Sequence, residues 1–121
     1  MKLRIQGNSL CLRLTRSEVD RLCNEGEVSE TVSFRSCGVL TYRVQERSGA
    51  GEAQADMALG LISVSFPAAR VQFWLSSGEV GIYSQDGELR IAIEKDFRCL
   101  TRSPEEQEAD AYPHPAKQCT A

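Results

Sequence analysis

The sequence predicts a mainly β domain of the α+β class: a tandem ββαββ repeat with two short helices, closed into a compact, swapped-hairpin-like split β-barrel. Three observations predict it. Apolar residues alternate with polar ones in short runs (Leu10, Leu12, Leu14; Ile62, Val64, Phe66; Leu89, Ile91, Ile93), the period of a strand with one buried face. Two stretches at helical spacing interrupt them, around Val19–Leu22 and Val71–Leu75. Residues 10–28 also match residues 62–80 in apolar phase: Leu10 falls on Ile62, Leu12 on Val64, Leu14 on Phe66, Val19 on Val71, Leu22 on Trp74, and Gly26-Glu27-Val28 on Gly78-Glu79-Val80. A period of this size is the mark of a duplicated unit.

The elements follow in order. Leu3 and Ile5 alternate with Lys2, Arg4 and Gln6; Gly7-Asn8 supplies a turn; and Leu10, Leu12 and Leu14 return as the second strand of a hairpin. Its outer face would carry Lys2, Arg4 and Arg13 together. Thr15-Arg16-Ser17-Glu18 fits a capping box, with Thr15 as the cap and Glu18 reaching back. Val19, Leu22 and Cys23 form an apolar helical stripe, and Gly26 ends the helix in the left-handed conformation. Val28–Phe34 and Val39–Val44 read as two strands, and residues 46–52 (ERSGAGE) as the joint between the halves. Residues 54–59 and 61–66 make a hairpin around Gly60. Pro67 opens a helix whose stripe is Ala68, Val71, Trp74 and Leu75, and Gly78 ends it. Val80 and Ile82 begin a strand, Asp86-Gly87 turns it, and Leu89–Ile93 completes the pair.

The expected organisation is one domain over residues 1–103, made of pseudo-repeats at about 1–46 and 53–100, with an acidic, proline-containing tail over 104–121. Net charge is −3 and uneven: +1 over residues 1–52, −1 over 53–103 and −3 over 104–121. A neutral body argues against strong non-specific nucleic-acid binding, which rests on many phosphate contacts. No apolar run approaches the roughly 20 residues that span a bilayer, and the N-terminus lacks a signal-peptide core, so no membrane partner and a cytoplasmic location are expected. Five cysteines, an odd number without a CxxC pair, read as free thiols.

Two resemblances bear on function. KLRIQGNSLCLRLTRSEVDRL at the start, LRIAIEKDFRCL, and the tail AYPHP resemble a family of small bacterial proteins of unassigned function. Phe66-Pro67 to Val71, Gly78-Glu79-Val80 and Gly87-Glu-Leu-Arg-Ile91 are similar to AbrB/SpoVT swapped-hairpin domains, which pair two hairpins around short helices and commonly bind DNA as dimers. The proline-to-glycine distance is one residue short here, and Glu79 stands where those domains have Asp. The second likeness implies DNA as a partner and Lys2, Arg4, Arg13 and Arg16, with Arg21 and Arg43 behind them, as phosphate contacts; an ordinary solvated sheet face is the plain alternative.

Cys99, His114 and Cys119, with Asp96 or Asp110, are the candidate metal ligands, although only His114 and Cys119 are close in sequence. A Cys99–His114 nucleophilic pair would need the tail folded back, and no oxyanion or orienting motif accompanies it. Trp74 is in phase with the core and Phe73 is not. The expectation is a non-enzymatic cytoplasmic binding or regulatory protein without cofactor, monomer or homodimer, its macromolecular partner unnamed; the alternative is a divergent AbrB-like DNA-binding regulator or antitoxin.

Overall fold

The computed structural model describes residues 1–49 and 51–97. Its elements are β1 (Lys2–Ile5), β2 (Ser9–Leu14), α1 (Arg16–Glu25), β3 (Glu27–Ser33), β4 (Val39–Arg47), β5 (Gln54–Ala58), β6 (Leu61–Pro67), α2 (Ala68–Ser76), β7 (Gly81–Asp86) and β8 (Leu89–Lys95). The mainly β, α+β class with two short helices is as expected.

The strands form two four-stranded sheets, ordered β1-β2-β8-β7 and β3-β4-β6-β5. In each, two antiparallel hairpins meet through a central parallel pair. In the first, Leu12 lies opposite Ile93; in the second, Val44 lies opposite Val64. The sheets do not close into the expected barrel. The edge strands β5 and β7 share no ladder, and a side-chain carboxylate lies between them: Asp86 Oδ2 accepts from the Ala55 amide at 3.1 Å. A carboxylate taking up an edge amide leaves that N–H unable to donate to a neighbouring strand.

Between the sheets lies one core. Leu12, Leu14, Val44, Val64, Phe66, Trp74 and Ile93 are fully buried, with Leu22 and Val71 of the helices packed onto them. Leu12 and Leu14 point into this core while Arg13 points out, so strand alternation separates a greasy face from a charged one. Trp74 is the largest buried side chain, and its Nε1–H donates to the Val80 carbonyl at 3.2 Å, which meets the polar demand of a buried indole.

The two helices end differently. Thr15 and Glu18 make both bonds of the capping box, and Gly26 closes α1 at φ 85°, where its amide donates to the Leu22 carbonyl. Within α1, Cys23 is exposed rather than on the buried stripe, and Glu18 takes a buried place beside Leu22. Pro67, the last residue of β6, stands just before α2 as its N-cap instead of in its first turn, and supplies no side-chain cap. The helix stops at Ser77, one residue before the glycine expected to end it. The Ser77 hydroxyl donates to the Trp74 carbonyl at 3.5 Å and accepts the Glu79 amide at 3.2 Å, so side-chain bonds terminate the helix without a left-handed residue. Strand β4 runs on to Arg47, into the segment expected to be the joint, because its parallel pairing with β6 continues to Arg47 opposite Pro67.

Candidate functional site: the outer face of the first sheet

The pairing of β1, β2, β8 and β7 sets three cross-strand rows on the solvent side of the first sheet. One row is Lys2, Arg13, Glu94 and Gly81; the next is Arg4, Cys11, Ala92 and Tyr83; the third holds Ser9, Arg90 and Gln85. The first two rows reach roughly 14 Å across the sheet and the third about 10 Å, at the usual strand spacing of about 4.8 Å. Cys11 and Ala92 are small and central, so the face is a concavity of about 860 Å³ with Arg4, Arg13, Arg90, Tyr83 and Gln85 around it. Glu52, from the segment between β4 and β5, also lines it.

Glu94 organises this face. Its Oε1 accepts from Arg13 Nε at 3.1 Å, and its Oε2 accepts from the Tyr83 hydroxyl at 2.8 Å. Burial alone would raise its pKa; the bonds from Tyr83 and Arg13 outweigh burial and hold the carboxyl below its ordinary value. The same contacts act on the partners. Partial burial and the bond to Glu94 push the Tyr83 phenol up to about 12. Burial, then the neighbouring Glu94 carboxylate, raises the Cys11 thiol. A thiol held protonated is a poor nucleophile.

The cations divide into two groups. Arg13 is paired to Glu94, and Lys2 Nζ lies 3.3 Å from Asp96 Oδ2. Among the described residues Arg4 and Arg90 have no carboxylate in ion-pair range; Arg4 Nη2 donates to Gln6 Oε1 at 2.8 Å. The first hairpin thus gathers Lys2, Arg4 and Arg13 on one face, as the alternation implied. Arg16 is the first residue of α1 and does not line the concavity. Arg43 is on the second sheet, where it donates to Ser63 Oγ at 3.1 Å. Arg90 and Tyr83 were missed by sequence reasoning, because nothing local announces that β8 lies against β2; the signal was the outward phase of Arg90 between Leu89 and Ile91.

Elsewhere, the Met1 ammonium is bonded to the Glu18 and Glu30 carboxylates, and the Tyr42 hydroxyl donates to the Met1 carbonyl at 3.3 Å. Burial raises the Glu18 pKa, and the bonds from the Met1 ammonium and Thr15 bring it below its ordinary value. A smaller cleft of about 520 Å³ separates α2 from β7, lined by Pro67, Phe73, Ile82 and Tyr83 among others. Phe73 is exposed, with the Arg70 guanidinium 5.6 Å from its ring centre. Among the described residues no group of three or more His, Cys, Asp or Glu side chains is placed to hold a metal. Cys99, His114 and Cys119, and the pair Cys99–His114, lie outside the described residues. No helix among the described residues is long and apolar enough to cross a membrane.

A two-sheet α+β protein with one charged concave face defines a class by architecture and leaves its chemistry open. Residues 1–116 match the model of a family of unknown function (DUF7009), and the chain belongs to that family. No curated protein and no solved structure matches it.

Proposed function

We propose that this is a small non-enzymatic binding protein of the bacterial cytoplasm, acting as monomer or homodimer, and that the outer face of the first sheet takes up an anionic macromolecule. The observation that carries this reading is the pair Arg4 and Arg90: both line one concavity and neither is neutralised by a carboxylate among the described residues. Unpaired guanidiniums around a shallow floor present donors to phosphate or carboxylate groups at little cost in broken ion pairs. The protonated state of Cys11 supports a binding role over a nucleophilic one. The test is an NMR titration of the full chain with inorganic polyphosphate. Amide shifts should concentrate in β1, β2 and β8 and vanish in Arg4→Glu/Arg90→Glu; shifts elsewhere, or none, would refute the reading.

A duplex-DNA regulator of the AbrB kind is the second reading, favoured by the shared face of Lys2, Arg4 and Arg13. It goes with reading the chain as a duplicated unit whose hairpins are exchanged between halves. In support, each sheet takes one hairpin from either side of the segment joining β4 to β5, and residues 12 and 64, matched in the repeat, hold matching places in the two parallel pairs. A mobility shift lost in Arg4→Glu/Arg13→Glu would favour this regulator; equal mobility in parent and variant would remove it.

A further inference from the structure

The Tyr83 ring has an unusual posture. The hydroxyl reaches Glu94, the cross-strand partner of Gly81, two residues back along β7. The side chain therefore lies along the sheet and over Gly81 instead of standing off it. The glycine makes room: a Cβ there would come within 3.0 Å of the Tyr83 hydroxyl and 2.6 Å of the Ile93 carbonyl oxygen. Tyr83 nevertheless remains 63% exposed. The result is an aromatic plane pinned by its own hydrogen bond, presenting a face to solvent beside Ala92. Arg90 is in the next row and Arg4 at the far end of the same one.

Resting on the anion-binding reading above, we propose that this face binds single-stranded nucleic acid: a base stacks on Tyr83 while Arg90, in the next row, and Arg4, at the far end of the same row, contact successive phosphates. A flat aromatic on a sheet, flanked by cations, suits a chain whose bases are unpaired, since every base has a face to stack and the backbone tracks the charge. An acidic peptide would use the arginines and leave the ring without a role. Duplex DNA buries its base faces and would do the same. Among the described residues that line the concavity, two arginines, Arg4 and Arg90, have no carboxylate partner, so binding is modest and its salt dependence shallow.

The experiment is fluorescence anisotropy of the full chain with a labelled oligothymidylate of about 12 nucleotides, run beside the same sequence as duplex and beside thymidine monophosphate as competitor. Tyr83→Ala should weaken binding about 5- to 150-fold, the range for losing one stacked base, and Tyr83→Trp should restore it. A tenfold rise in salt should cost the parent about 25-fold in affinity if two phosphates are neutralised, and Arg4→Ala/Arg90→Ala should remove that dependence. A single cooperative thermal transition in each variant, shifted slightly downward in Tyr83→Ala because the bond to Glu94 is lost, shows that the fold is intact. Equal affinity in Tyr83→Ala, tighter binding to duplex, or full displacement by stoichiometric monophosphate would overturn the assignment. If polyphosphate shifts β1, β2 and β8 while no oligonucleotide binds, the stacking proposal falls and the anion-binding reading stands; if neither binds, both fall.

Discussion

The two sheets share a plan and differ in what they do with their outward cations. In the second sheet, Arg43 lies across β6 to Ser63, and Arg47 donates to the Glu52 carbonyl; Ser65 beneath them is buried. The arginines of that face lie down over it, each with one guanidinium nitrogen bonded and its Nε buried without a partner. In the first sheet, the corresponding central strands offer Cys11 and Ala92, and among the described residues of that face Arg13 and Lys2 alone find carboxylates. One face is covered by its own arginines and the other keeps Arg4 and Arg90 around an open concavity. The same pairing pattern thus yields a structural face and a candidate binding face, and the choice lies in whether the middle of the sheet carries a long side chain or a small one.

The comparison can be broken first at the core both sheets share. Trp74→Ala should destabilise by about 3–5 kcal/mol in urea unfolding, because a fully buried indole leaves a cavity, while the Val80 carbonyl keeps the Lys95 amide as its remaining donor. Both outer faces should be lost together; survival of either would mean that the sheets are not held by one core. Next comes Gly81→Ala, confined to the first sheet. Its methyl would meet the Ile93 carbonyl oxygen, costing about 1–3 kcal/mol and displacing the Tyr83 hydroxyl, readable as a lowered phenolate pKa by ultraviolet titration.

The carboxylates sharpen the contrast with opposite signs. Glu94 has a lowered pKa in the fold, so its contribution to stability is present above about pH 4.5 and lost as pH falls through the lower folded value. Glu46 on β4 is the reverse: burial raises its pKa and its Oε2 is buried without a hydrogen-bond partner, so its charge costs stability at neutral pH and that cost fades as pH falls. Glu94→Gln should therefore destabilise at neutral pH by about 1 kcal/mol, and Glu46→Gln should stabilise by a few tenths to about 1 kcal/mol, in paired denaturation curves. Equal signs would sink the distinction. Smallest is the alkaline limb. The neutral Tyr83 phenol is favoured in the fold, so this stabilisation is complete below about pH 10 and fades toward about 12; Tyr83→Phe should flatten that limb slightly.

Local chemistry was legible in the chain itself. The alternation of Leu10, Leu12 and Leu14 with Cys11 and Arg13 set which side of β2 would be buried, and Thr15 with Glu18 marked the start of α1. Both are short-range effects, decided by strand and helix periodicity and by hydrogen bonds within one turn. Long-range neighbours were not legible. Ser77 displaced Gly78 as the end of α2 through bonds to Trp74 and Glu79, and Asp86 took up the Ala55 amide where a barrel would have needed a ladder. Likewise only the parallel pairing of β2 with β8 brought Arg90, Glu94 and Tyr83 to the face of Arg4 and Arg13, across more than 70 residues of chain. Residues a few positions apart were enough to specify the elements and most of their buried sides, with Cys23 of α1 the exception. Which cations are paired follows from packing alone, because an ion pair is set by distance in space, and strand register is what brings distant positions within that distance.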